Sequence, residues 1–185
     1  MDGSKSDFEA CNSLQLAGST AITLPRIFQR GSSMNKYYED GISEMLAREE
    51  IRELRYRYCR AIDARDFEAV EACFTPDVLI DYGAVGKFES RDELLNMMRG
   101  YAESNAIIGL HTALNPIIEF TSSSSATVHW VSQFSSHDPD TGTSVKQSGT
   151  YTDQCVETKS GWQIKSAIYT MLFHNTQSSG RGSAV

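Results

Sequence analysis

Beyond Asn105 the hydrophobic period of this chain becomes two and stays there. Four stretches carry it, IIGLHTALNPIIEF, ATVHWVSQFSSH, TSVKQSGTYTDQCVET and WQIKSAIYTMLFH, and each reads as a long strand. SSSS, DPDTG and KSG join them, all of it turn chemistry, so successive strands pair antiparallel. Before Asn105 the period is helical. A helix is predicted over 43–63, with Ser43 as its cap and Ile51, Leu54, Tyr58 and Ile62 along one stripe. A second, short helix runs over 66–73, started by Asp66 and closed before Pro76. A strand, VLIDY, spans 78–82, and the capping box Ser90-Arg-Asp-Glu93 opens a third helix over 90–103. Helices first and a meander of long strands afterwards mean α+β: three N-terminal helices packed on a curved, mostly antiparallel sheet. A long helix lying across a bent sheet leaves a cavity, here walled by aromatic, Met and Leu side chains with a few polar groups.

Length and charge narrow the partners. The 185 residues suit one domain over 41–176, with a flexible extension at 1–40 and a flexible tail at 177–185. Patterned sequence begins soon after Met34, which reads as an alternative natural start. A net charge of -7 argues against nucleic acid or an anionic membrane as the main partner. No run is long enough to cross a bilayer, and the N-terminus lacks the apolar core of a secretory signal. Cys11, Cys59, Cys73 and Cys155 are scattered, which reads as free thiols in a reducing, cytoplasmic setting rather than disulfides or a zinc site.

The candidate site begins with Asp63. It falls in the last turn of the first predicted helix, where the negative end of the macrodipole disfavours an acid. Such a residue is expected to have a partner elsewhere, and its replacement by asparagine should then cost the fold nothing. His111 lies in an apolar strand with Gly109 and Ala113 on the same face, leaving room for something to approach the imidazole. Tyr151 and Asp153 share a strand face, and an acid in mid-strand needs a partner or a wet cavity. Tyr82 shares a face with Val78 and Ile80 and points inward. Trp130 and His129 alternate, so one of them faces the cavity. His137 beside the DPDTG turn and His174 at the end of the last strand read equally well as surface residues. An aspartate bonded to a histidine makes a general base that works near neutral pH. No serine elbow, zinc-binding helix motif or cofactor fingerprint competes with that reading.

The residues AREEIRELRYRYCRAIDARDFEAVEACFTPDVLIDYG, followed by GLHTALNPIIEF, ATVHW and GTYTDQCVETKSGWQIKSAIY, resemble the nuclear transport factor 2-like superfamily. The similarity is to its SnoaL-like branch, whose relatives include scytalone dehydratase, bile-acid 7α-dehydratase and hexachlorocyclohexane dehydrochlorinase. The resemblance implies a cone-shaped α+β barrel, a homodimer or homotrimer, and no metal or organic cofactor. It also places Asp63 on the acid at the end of the first helix, His111 on the strand histidine and Tyr58 on a helix tyrosine, as the catalytic set. Tyr82 falls on a pocket tyrosine that holds a water, His137 on a second histidine, and Asp153 where scytalone dehydratase has an asparagine. Tyr151 and Trp130 complete the expected substrate-binding residues. One departure is plain: the bile-acid branch carries an additional acid around Phe134, which is apolar here. The function implied is a cofactor-independent lyase or isomerase of secondary metabolism, foremost a dehydratase, acting on an apolar polycyclic, terpenoid- or polyketide-like molecule. The alternatives are a cyclase of such molecules and a binding module without chemistry.

Overall fold

The computed structural model describes residues 36–39, 41–104 and 108–178. The expected N-terminal extension, apart from 36–39, and the expected tail beyond Ser178 lie outside the described residues. Helix α1 spans Gly41–Asp63, α2 Phe67–Ala72 and α3 Arg91–Ser104. The strands are β1 (Phe74–Asp81), β2 (Lys87–Phe88), β3 (Ile108–Ser122), β4 (Ser125–Asp138), β5 (Thr143–Thr158) and β6 (Gly161–Ser178). They form one six-stranded sheet in the order β2-β1-β6-β5-β4-β3, antiparallel throughout except where β1 runs parallel to β6. The architecture is α+β, three helices on a mixed sheet that stays open, with β2 and β3 as its edges. Among the described residues no helix is long and apolar enough to cross a membrane.

The local chemistry explains most boundaries. Asp66 accepts the Ala69 N–H at 3.0 Å and caps α2. Ser90 Oγ accepts from Glu93 N–H, while Glu93 Oε2 accepts from Glu89 N–H, so the box at α3 closes one residue early. Two expectations shift. Ser43 lies inside the first turn of α1 rather than capping it, because the helix starts at Gly41. The first strand begins at Phe74, not Val78, and its ladder with β6 is interrupted between Phe74 and Leu79, where Pro76 has no N–H to give.

Buried residues of α1 include Ile51, Leu54 and Tyr58, the expected stripe, and Ile62 at its end is half-buried. They meet Phe74, Val78, Leu94, Val128 and Ile164 in the core. A β-bulge in β3 sets which residues share that core. Register with β4 slips between Leu114 and Ile117, at Asn115, whose φ of 49° is one that asparagine tolerates better than most residues. Gly109, His111 and Ala113 therefore face the concave side before the bulge, and Ile118 and Phe120 after it.

The exposed edge of β3 is covered by α1 at two points. Arg48 Nη1 donates to Ile118 O at 3.0 Å, and His111 N–H donates to Asp63. From Arg48 to Asp63 the helix rises about 22 Å, and from Ile118 back to His111 the strand spans about 23 Å. Helix and strand thus run antiparallel with matched lengths, which carries Asp63 to His111 across the sheet edge.

Candidate active site

Asp63 is the last residue of α1, and the turn after it softens the electrostatic objection to an acid there. Arg65 takes a left-handed φ of 57°, Asp66 N–H returns to Ala61 O at 2.9 Å, and Arg65 N–H returns to Ile62 O at 3.1 Å. This is a Schellman closure, which satisfies carbonyls that would otherwise project toward Asp63. A non-glycine residue in that conformation is held from outside: Arg65 Nη1 donates to Ala102 O of α3 at 2.8 Å.

His111 meets Asp63 through ring and backbone together. Nδ1 lies 2.6 Å from Asp63 Oδ1, and the His111 N–H lies 3.0 Å from both carboxylate oxygens. An ionised carboxylate only accepts, so the proton sits on Nδ1 and the neutral ring presents Nε2 as an acceptor. Phe134, the cross-strand neighbour of His111 on β4, covers the imidazole with ring centroids 4.5 Å apart. Gly109 makes that contact possible, since a Cβ there would come within 3.1 Å of the Phe134 ring.

The pair opens onto a cavity of about 380 Å³ between the helices and the concave face of the sheet. Ile62 of α1, Phe67 of α2 and Met97, Met98 and Tyr101 of α3 supply its apolar side. The dyad is the more accessible part, with side chains 26% exposed for His111 and 15% for Asp63. A buried group of phenols also lines it. Tyr58 and Tyr82 bring their hydroxyls to 3.4 Å, Tyr82 meets the Tyr151 ring edge-on at 5.8 Å, and Tyr151 lies 4.7 Å from Tyr169. Gln147 Nε2 donates to the Tyr169 hydroxyl at 2.9 Å. Burial pushes the Tyr58, Tyr82 and Tyr151 phenols above their ordinary range, so each is a protonated donor at neutral pH.

Five of the eight sequence-predicted site residues line this one cavity: Asp63, His111, Tyr58, Tyr82 and Tyr151. Three do not. Asp153 faces inward, as expected of an acid with a partner, but it is sealed in the core in an ion pair with Arg55 at 3.5 Å. Trp130 is also inward and fully packed, edge-on to Tyr56 at 6.2 Å, and shows no surface to the cavity. His137 is three residues beyond Phe134 on an uninterrupted strand and so lies on the opposite face, bonded to Ser144 Oγ at 3.0 Å. His129 shares that outer face and reaches Thr152, and His174 is exposed. Sequence reasoning missed Arg55, a charge set on the buried stripe between Ile51 and Tyr58, and it missed Gln147 and Tyr169. Cys59, Cys73 and Cys155 are free thiols buried in the core; Cys11 lies outside the described residues. Among the described residues no group of three or more His, Cys, Asp or Glu side chains converges to hold a metal ion.

This fold is shared with known proteins. The SnoaL-like domain profile matches residues 43–168, most of the chain. The chain belongs to the SnoaL-like family. Its fold is similar to that of a candidate scytalone dehydratase from Novosphingobium aromaticivorans, 18% identical with a TM-score of 0.68 over 78% of this chain and 99% of that one. It is also similar to the type 3 hexachlorocyclohexane dehydrochlorinase LinA from Novosphingobium barchaimii, 12% identical with a TM-score of 0.70 over 79% and 100%. At such identities the likeness of this SnoaL-like chain to both is one of fold. A 50-residue stretch, 27% of the chain, is 42% identical to the uncharacterized protein Rv2910c of Mycobacterium tuberculosis. The chain spans about a third, 34%, of the length of the mycobacterial relatives it matches.

Proposed function

We propose that this SnoaL-like protein is a cofactor-independent lyase or isomerase, foremost a dehydratase, working on an apolar polycyclic, terpenoid- or polyketide-like molecule. The observation that carries the reading is the 2.6 Å contact between Asp63 and His111 at the wall of an apolar cavity. Nε2 of His111 takes a proton from a carbon next to an activating group, and the imidazolium formed is held by Asp63. The electron pair left on carbon moves onto the activating oxygen, where the Tyr58 or Tyr82 phenol donates to the growing charge. In an elimination the electron pair then returns to form the carbon–carbon double bond as the neighbouring C–O bond breaks. The leaving hydroxyl takes the proton from the His111 imidazolium to depart as water. In an isomerisation the imidazolium returns that proton at another carbon. A ring closure would use the same parts.

The second reading, a binding pocket without chemistry, draws on Phe134, which packs over one face of the imidazole. Extracting the purified protein and identifying any retained small molecule by mass spectrometry gives a ligand to test. Incubating that molecule with protein in heavy water then separates the readings. A general base exchanges the acidic carbon-bound hydrogen for deuterium, and His111→Ala abolishes the exchange. Retention of the ligand without exchange would leave a binder.

A further inference from the structure

Arg55 has no part in the base chemistry, yet it is the most deeply buried cation of the described chain, 1% exposed. Its guanidinium stacks on the Tyr151 ring at 3.7 Å and lies 4.9 Å from the Tyr58 ring. On its other contact Asp153 stands 3.5 Å from Nη1, outside hydrogen-bond geometry, and its remaining polar neighbour is the Trp130 indole N–H, which approaches it without good hydrogen-bond geometry. Arg55 Nε and Nη1 likewise make no hydrogen bond. A pair built only for stability would satisfy those atoms, since a loosely bonded buried ion pair is commonly worth no more than apolar packing of the same volume. The groups that feel this charge are Asp153, the phenols Tyr58, Tyr82 and Tyr151 and the buried thiols Cys59, Cys73 and Cys155. Of these only the three phenols line the cavity, which Arg55 itself does not.

We infer that Arg55 is a positioning residue for the phenol group: its positive charge turns the Tyr58–Tyr82–Tyr151 end of the cavity into a site for an oxyanion. The inference rests on the reading that these phenols face the oxygen that gains charge. The arrangement gives the phenols the positive side of an ion pair, because Arg55 contacts the rings directly. Burial raises all three phenols, Arg55 works against it in each, and at Tyr82 and Tyr151 its influence exceeds that of Asp153. A phenol is a stronger donor when a cation supports the charge that it shares with its acceptor. Arg55 thus acts on the bound oxygen through tyrosines, without touching it.

The test uses 4-nitrophenol, a flat oxyanion mimic whose anion is coloured, bound to the full-length protein. In the wild type the bound dye should reach half-ionisation about one pH unit below the free dye, the scale of a nearby opposite charge. Tyr58→Phe and Tyr82→Phe should each weaken that shift. The volume-matched double variant Arg55→Met with Asp153→Leu should remove it. Asp153→Asn, which takes away only the negative partner, should deepen it, an effect that a merely structural Arg55 would not produce. Thermal melts show which variants are folded, and His111→Ala should keep the shift. Failure of the dye to bind, an unshifted wild type, or a shift that survives in the folded double variant would overturn the inference. A shift lost in His111→Ala but kept in Tyr58→Phe would also overturn it, by placing the anion at the imidazole, and would leave the base reading standing. The expected dye shifts without deuterium exchange would do the reverse.

Discussion

Asp63 binds His111 twice, through the ring nitrogen at 2.6 Å and through the backbone N–H at 3.0 Å. The second bond changes what the aspartate is for. His111 belongs to an edge strand, so its outward N–H has no strand partner, and Asp63 supplies one from the end of α1. One carboxylate therefore joins helix to sheet and fixes the tautomer of the base.

On helix-dipole grounds alone, Asp63→Asn would leave the fold untouched. With the backbone bond in place, the variant instead loses charge-assisted bonds at the helix–strand junction, and stability should fall by about 1 kcal/mol. The amide can also hydrogen-bond the imidazole as a donor, leaving the wrong nitrogen facing the cavity. Turnover of the identified substrate should drop about 10²-fold or more. His111→Ala should cost at least as much, and the double variant little beyond the worse single, because the two residues act as a unit. Rates alongside thermal melts check both halves; losses that multiply would show two independent residues.

How far the sequence reached depended on what each signal reports. Period-two patterning exposes strands and their inward faces, so the meander and the inward Tyr151 and Asp153 were legible. It does not report depth. Asp153 and Trp130 point the same way as Tyr151, but only packing reveals that Arg55 seals the first and Tyr56 covers the second. Parity also fails at a bulge: the slip at Asn115 in β3 separates the inward set of His111 from that of Ile118. For His137 no such slip intervenes in β4, so the strand carries it to the outer face. Asp63 stood out because it broke a helix rule, and the rule was softened by the closure at Arg65 and Asp66, which backbone geometry alone discloses.

Gly149 is expected to be intolerant. A Cβ there would lie 2.5 Å from the Thr170 carbonyl and 2.6 Å from the Tyr169 ring, which crosses over this position on its way to Tyr151. Backbone cannot yield as a flexible side chain does. Gly149→Ala should destabilise by about 1–3 kcal/mol, the usual scale of overpacking, and should disturb the Gln147–Tyr169 bond. Denaturant unfolding measures the loss; an unchanged midpoint would mean that β5 and β6 part easily at their bulge.

Association is a separate expectation. Val131 of β4 is 38% exposed on the outer sheet face, and Ile168 of β6 at 51% and Leu79 of β1 at 56% are exposed on the same face. Val145, which the sequence suggested as a companion, pairs with Ser136 on the inner side instead. We propose that a second copy covers the outer face across a two-fold axis, which buries it symmetrically. Light scattering should give a dimer at micromolar concentration, and Val131→Glu with Ile168→Lys a folded monomer. A wild-type monomer would reject the interface.

The Arg55–Asp153 pair gives the clearest dependence on pH. Burial raises the Asp153 carboxyl above its ordinary range, and Arg55 opposes that rise. In Arg55→Met the opposition disappears, so the folded-state value climbs further above the unfolded value of about 3.9. A raised carboxyl means that the folded protein holds its proton more tightly than the unfolded chain does. The penalty therefore grows as pH rises from about 3.9 through the folded value, and it is complete above that. At neutral pH the variant should be less stable than the wild type by about 3–5 kcal/mol, the scale for one ion left alone in a core. Lowering the pH from neutral toward the carboxylate range should return part of that loss, raising the melting temperature relative to wild type. Arg55→Met with Asp153→Leu has no carboxyl to protonate, so its melting temperature should show no such recovery. Parallel melts of the three proteins across that range decide the matter: a single variant that gains nothing on acidification would mean that Asp153 is not a buried charge waiting for its cation.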